Sequence, residues 1–101
     1  IYYGAHADDA AGSAYPDCSS EFNTAINDAI YLGSGKQIKV VAPFINASKA
    51  QVVKKGLELN VPYKYTWSCY EGGEKPCGRC GTCIDRARAF ELNGMKDPAM
   101  E

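Results

Sequence analysis

The stretch Trp67-Ser68-Cys69-Tyr70-Glu71-Gly72-Gly73-Glu74-Lys75-Pro76-Cys77-Gly78-Arg79-Cys80-Gly81-Thr82-Cys83 decides how this chain is read. Cys69, Cys77, Cys80 and Cys83 are separated by seven, two and two residues and supply four soft ligands within 15 positions. Thiolates at about 2.3 Å can close a tetrahedral shell around zinc, and such a shell keeps no open position for a catalytic water, so a structural metal is expected. Gly78 and Gly81 each follow a cysteine and let the backbone approach sulfur closely, while Lys75 and Arg79 are placed to offset part of the charge of a four-thiolate centre. The Cys77-Cys80-Cys83 run also echoes an iron–sulfur spacing, without the Cys-Pro that follows in that pattern and with Cys69 upstream instead. Visible absorbance distinguishes the two.

Working outward, Thr82 to Leu92 reads as a helix with Ile84, Ala87 and Phe90 inward, followed by Gly94 and a loose tail to Glu101. Upstream, Tyr63 to Trp67 reads as a short strand whose alternating Tyr63, Tyr65 and Trp67 belong to the core. A helix before it opens with Ser48 and Gln51 at capping-box spacing, packs through Val52, Val53, Gly56 and Leu57, and stops at Asn60. Gln37 to Ala42 is a strand closed by Pro43, and Phe44 to Ala47 a connecting loop. Ser20 to Leu32 is a helix with the stripe Phe22, Ala25, Ile26, Ala29 and Ile30, a cap at Asp17, Ser19 or Ser20, and a stop at Gly33. Ile1 to Gly4 has the look of a buried strand's end, and Ala5 to Pro16, including Gly12, of the loop after it, a favoured ligand position in open α/β sheets. Strand, helix, strand, helix in that order implies an α/β fold with a parallel sheet, incomplete in this chain.

The composition narrows the function classes. With 101 residues the chain suits one modest core, burying roughly 65% of its unfolded surface. A net charge of -1, from 11 basic and 12 acidic residues, gives no general attraction for nucleic acid. No run approaches the ~20 apolar residues that span a bilayer, and Ile1-Tyr2-Tyr3 has no export signal, so no membrane partner and a cytoplasmic location are expected. Five cysteines form an odd set that a secreted disulfide framework explains poorly; four as metal ligands leave Cys18. The start at Ile1, without an initiator Met, reads as part of a longer protein.

Several motifs together carry a resemblance. Trp67 to Gly73, then Pro76 to Cys83 with Arg86 after it, resembles the zinc site of the 7-cyano-7-deazaguanine synthase family of queuosine biosynthesis, the QueC or ExsB family. Tyr15-Pro16-Asp17-Cys18 with Glu21-Phe22 is similar to a second signature, with Ser19 where that pattern carries arginine. Pro43-Phe44 followed by Lys49-Ala50 resembles the late proline and lysine segment of pyrophosphatase-loop enzymes. The resemblance implies the C-terminal part of an adenine-nucleotide alpha-hydrolase-like (PP-loop ATPase) fold over residues 1–66, with an appended four-cysteine zinc site, terminal helix and tail over 67–101. It implies an enzyme that uses ATP to activate the carboxylate of 7-carboxy-7-deazaguanine, admits ammonia, and dehydrates the amide to a nitrile. By that similarity Tyr15, Asp17 and Cys18 border the deazaguanine pocket and Lys49 approaches the ATP phosphates; the catalytic residues are not named by it. Asp17 has suitable chemistry, since a carboxylate accepts the paired N–H donors of a guanine-like edge. No Ser-Gly-Gly-x-Asp-Ser loop occurs in this chain, so it is not expected to catalyse the reaction alone.

The expected partners are therefore small molecules, with no nucleic acid and no membrane, and association into a homo-oligomer is compatible with the sequence. A different reading is a freestanding zinc-ribbon-like module that binds RNA or protein through Lys75, Arg79, Arg86 and Arg88; the α/β pattern and the near-neutral charge favour the enzyme. His6 has the chemistry to bond a ligand or carry a proton, but reads first as a plain loop residue. Cys18 reads equally as a buried inert thiol or as one activated by the adjoining helix start. Lys54 and Lys55 read as a solvated helix face.

Overall fold

Two compact units, Ile1–Ser48 and Lys49–Glu101, make up the chain. The computed structural model describes residues 1–11 and 14–100, so the loop expectation at Gly12 and the tail expectation at Glu101 fall outside the described residues. The first unit carries α1 (Ala7–Ala10) and α2 (Ser20–Gly33), and the second α3 (Lys49–Glu58) and α4 (Gly81–Glu91). Short 3₁₀ turns form at Pro16–Cys18, Tyr63–Tyr65 and Pro98–Met100. Among the described residues no helix is long and apolar enough to cross a membrane.

In the first unit the two segments read as strands do run side by side and parallel. The Ile1 nitrogen donates to Lys39 O at 2.7 Å, Val41 N to Ile1 O at 2.7 Å and Tyr3 N to Val41 O at 3.0 Å. The pairing amounts to one isolated bridge, Tyr2 with Val41. The expected sheet is therefore corrected: the fragment is α-rich, and no sheet is seen among the described residues. Two physical causes are visible. Pro43 offers no N–H to continue the ladder. The N–H of Val40 points away from the Ile1–Tyr3 segment, as alternate residues do, and goes to Asn27 Oδ1 at 2.8 Å instead of to a further strand.

Helix α2 begins where Ser19 Oγ accepts the N–H of Phe22 at 3.0 Å, which selects Ser19 among the three candidate caps. It runs through Gly33, one residue beyond the expected end at Leu32, with Gly35 at φ +67°. Its half-buried face is Asn23, Ile26, Asn27 and Ile30, while Ala25 and Ala29 are exposed and Phe22 is 40% exposed. Asparagines thus replace apolar side chains on the inward face: Asn27 serves Val40, and Asn23 Oδ1 accepts the Tyr3 hydroxyl at 3.1 Å.

The second unit is organised by α3 against α4, where Val53, Ala89 and Phe90 form a buried cluster flanked by Ala50, Leu57, Tyr63 and Met95. Asn93 Nδ2 ties the two helices together, donating to Ala50 O at 2.9 Å and Ala89 O at 2.8 Å. Helix α3 stops as expected at Asn60, which takes φ +57°. There Asn60 N bonds Leu57 O at 3.1 Å and Val61 N bonds Gly56 O at 2.9 Å, the paired 5→2 and 6→1 bonds of a Schellman close. The same pairing ends α4 at Gly94, where Met95 N reaches Phe90 O at 3.2 Å and the methionine side chain joins the core.

Two expectations are corrected in this unit. Tyr63 to Trp67 is no strand: Tyr63–Tyr65 forms a 3₁₀ turn, and only Tyr63 faces the core, with Tyr65 77% and Trp67 49% exposed. The backbone here is captured by side chains, with Tyr63 O and Thr66 O both accepting from Arg86, so these carbonyls are not offered to a neighbouring strand. The tail is also ordered differently from the loose end expected, since Asp97 is 6% exposed and anchors the turn Pro98–Met100.

Candidate metal centre

The four cysteines of the opening stretch converge. Their sulfurs all lie within 4.8 Å of one another, with Cys77 Sγ to Cys83 Sγ and Cys80 Sγ to Cys69 Sγ both at 4.0 Å. All four are free thiols. Four sulfurs at about 2.3 Å from one tetrahedral ion stand about 3.8 Å apart. The quartet therefore has the dimensions to hold a single metal ion, and these separations leave little space for a core of several iron atoms.

Each ligand-bearing segment is placed by local chemistry. Cys77-Gly78-Arg79-Cys80 folds into a tight knuckle in which Arg79 N and Cys80 N point at Cys77 Sγ, at 3.5 and 3.3 Å. Gly78 makes the turn at φ +74°, a conformation that costs a side chain dearly. Cys80 caps α4 and Cys83 sits in its first turn, where the helix's free N–H groups and dipole favour negative sulfur. Cys69, on a separate segment, accepts N–H groups from Glu71 and Cys77, both at 3.4 Å. Trp67 Nε1 donates to Cys69 O at 2.8 Å and fixes that arm.

These surroundings divide the protons unevenly. The Thr82 hydroxyl, 3.1 Å from Cys80 Sγ, is the first cause holding the Cys80 thiol down to about 5, and the amides of Cys83 and Tyr70 act in the same direction. The Cys77 amide lowers the Cys69 pKa. Burial pushes Cys83 up to about 12. Were a metal held here, Cys80 would offer a thiolate and Cys83 would have to give up its proton to ligate. Charge compensation comes from backbone amides; the side chains of Lys75 and Arg79, expected to share in it, are exposed.

Arg86 occupies the inward face of α4 one turn after Cys83 and is 7% exposed. It forms a two-pronged pair with Asp97, Nε to Oδ2 at 2.6 Å and Nη2 to Oδ1 at 2.9 Å. The inward face of α4 is thus Cys83, Arg86, Ala89 and Phe90, and the expected Ile84 is 55% exposed. Thr82 and Asp97 were not signalled as site residues by the sequence. Thr82, beside a cysteine at the start of a helix, was the more legible of the two.

The other expected site residues are placed as follows. Tyr15 precedes, and Asp17 and Cys18 belong to, the turn Pro16–Cys18 that packs on α1 and the start of α2. Tyr15 N bonds Asp9 O at 3.0 Å. Burial and then the nearby Asp17 and Asp9 carboxylates raise the Cys18 pKa. Tyr3 shares this neighbourhood, its pKa raised by burial and by Cys18 and Asp17. His6 is a loop residue as expected, at the N-cap position of α1; it is 8% exposed and pairs through Nε2 with Asp9 Oδ2 at 3.1 Å. Lys49 is the first residue of α3 and half-buried, in the second unit.

Comparison with known proteins adds an independent line. The family model described as "Queuosine biosynthesis protein QueC" matches residues 1–94. The 7-cyano-7-deazaguanine synthase of Archaeoglobus fulgidus is 50% identical over 101 residues, covering 99% of this chain and 41% of the relative. The proteins of the same name from Caldicellulosiruptor bescii and Psychromonas ingrahamii are 48% and 41% identical over 98 residues, each match covering 97% of this chain and 43% of the relative. The chain thus spans 41–43% of the length of these relatives.

Proposed function

Because this chain belongs to the queuosine biosynthesis protein QueC family, we propose that it is the C-terminal portion of an ATP-dependent 7-cyano-7-deazaguanine synthase. The enzyme converts 7-carboxy-7-deazaguanine and ammonia to the nitrile, with ATP activating first the carboxylate and then the amide. Activation is required because a carboxylate is a poor acyl donor. The observation that carries the reading is the convergence of Cys69, Cys77, Cys80 and Cys83 within 4.8 Å in a chain matched to the family over residues 1–94.

In this reading the four thiolates hold one zinc ion, and the zinc supplies a structural crosslink. The residues then have distinct tasks. The cysteines fix the chain around Pro76 in one shape, which its polar, glycine-bearing sequence does not secure by packing. Residues 67–101 form the metal-holding appendage to the PP-loop-type portion 1–66. Asp17, exposed on its turn, accepts N–H donors from the guanine-like edge of the substrate, with Tyr15 and Cys18 bordering the pocket. Lys49 presents a mobile positive charge to the ATP phosphates. The ATP loop lies outside this chain, so the fragment is inactive alone.

Joined to its N-terminal half and loaded with metal, the chain is expected to support ATP-dependent nitrile formation from 7-carboxy-7-deazaguanine. A folded, metal-loaded full-length protein that hydrolyses no ATP and forms no nitrile with that substrate and ammonia would contradict the assignment.

A further inference from the structure

An arginine carries five N–H donors, and in Arg86 all five are used. Nε donates to Asp97 Oδ2 at 2.6 Å, Nη2 to Asp97 Oδ1 at 2.9 Å and to Tyr63 O at 3.0 Å, and Nη1 to Thr66 O at 3.2 Å and Ser68 Oγ at 3.4 Å. Three of these acceptors belong to the run that leads directly into Cys69. The arginine itself stands one turn after Cys83 on α4. Its partner Asp97 is equally buried, at 6% exposure, and is fully engaged on its other side. Asp97 Oδ1 accepts Ala99 N at 2.9 Å and Asp97 O accepts Met100 N at 3.1 Å, which closes the turn Pro98–Met100. That turn brings Met100 Cε against the cysteine knuckle: a side-chain carbon built on Gly78 would lie 3.2 Å from it.

One guanidinium therefore joins the Cys69 arm, the helix that presents Cys83, and the turn that lies on the Cys77–Cys80 knuckle. We propose that Arg86 and Asp97 are the positioning pair of the cysteine centre. Together they hold the separate ligand-bearing segments in register and so set how slowly the bound metal is lost. Lysine cannot replace Arg86 here, because a single ammonium cannot reach two carboxylate oxygens and three further acceptors in one plane. The proposal rests on the metal-binding reading given above, but it concerns residues that do not touch the metal.

The test is the rate at which the zinc-loaded full-length protein gives up zinc to excess chromogenic chelator. Asp97→Asn keeps the size and removes the charge; it is expected to release zinc about tenfold faster or more, the range seen when groups that support metal ligands are altered. Asp97→Glu, which restores a carboxylate, should recover part of the loss. Met100→Ala and Ser68→Ala leave the ion pair intact and should each accelerate release by a smaller factor, so the inference stays testable if Asp97→Asn does not fold. Val53→Ala weakens the α3–α4 core away from the sulfurs; it should lower the melting temperature and leave zinc release unchanged. Wild-type release in Asp97→Asn would overturn the proposal, as would unaltered release in both Met100→Ala and Ser68→Ala. Equal acceleration in Val53→Ala would reduce the pair to general stabilisation and overturn it too. A protein that binds no zinc at all would remove the metal-binding reading together with this one, whereas a zinc protein insensitive to these changes removes this one alone.

Discussion

Replacing Gly56 by alanine tests the packing of the second unit, because two opposed effects meet at one atom. At an exposed helix position the change should stabilise by about 1 kcal/mol. Gly56 is buried in α3, however, and a methyl group there would fall inside the phenol of Tyr63. Tyr63 would have to leave its place. Its hydroxyl bonds Val53 O at 3.3 Å, a contribution of about 1 kcal/mol. Its ring stands edge-on to Phe90 with centroids 5.0 Å apart and planes at 90°, worth about 1 kcal/mol more. Partial exposure of the two rings adds about 1–2 kcal/mol at ~25 cal/mol/Å². Set against the helix gain, the net expectation is a loss of about 2–3 kcal/mol, within the usual range for an overpacked core. Urea unfolding of the metal-loaded protein measures it as a lower midpoint at unchanged slope. A second arm checks the cause: in a Tyr63→Ala background the collision is gone, and Gly56→Ala should be neutral or stabilising by up to about 1 kcal/mol. Wild-type stability of the single variant, or equal damage in both backgrounds, would refute the placement of Tyr63 on α3.

Zinc affinity should rise with pH. Cys83, pushed up to about 12 by burial, keeps its proton through the neutral range and must release it to ligate, while Cys80, held near 5 chiefly by the Thr82 hydroxyl, need not. At least one proton therefore leaves per metal bound, and affinity should climb at least about tenfold per pH unit between about pH 6 and about pH 8; chelator competition that gives a flat profile would contradict this. Ser19→Ala removes the acceptor for Phe22 N and should cost about 1 kcal/mol, read from circular dichroism melts; an unchanged melt would mean that Ser19 does not cap α2.

Much of the site was legible because metal ligation imposes spacing, and spacing survives in sequence: all four sulfurs meet as the cysteine pattern implied. The helices were legible for the same kind of reason, with α3 packing through Val53, Gly56 and Leu57 and stopping at Asn60. The errors cluster where polar chemistry replaces apolar packing. Helix α4 turns Arg86 and Cys83 inward, so its hydropathy pattern placed Phe90 correctly but misplaced Ile84, which is exposed. On α2 the expected Ile26 and Ile30 share the inner face with Asn23 and Asn27, which bond Tyr3 and Val40, while Ala25 and Ala29 are exposed. The segment after Pro62 alternates like a strand, yet Arg86 claims its carbonyls. Asp97 gave no periodic signal at all; only its tertiary partner explains why it is buried. Of the parallel sheet expected from the strand and helix order, the described residues show one bridge, Tyr2 with Val41, since a sheet needs partner strands that these residues do not supply.

The proposed role of residues 67–101 requires four sulfurs gathered around one cation. Elemental analysis of the full-length protein, purified under reducing conditions, should find close to one zinc per chain, falling sharply when Cys83 is replaced by serine. A freshly prepared, folded protein containing neither zinc nor another thiolate-bound metal would contradict it, and a brown protein rich in iron and sulfide would contradict the assignment of a single zinc ion.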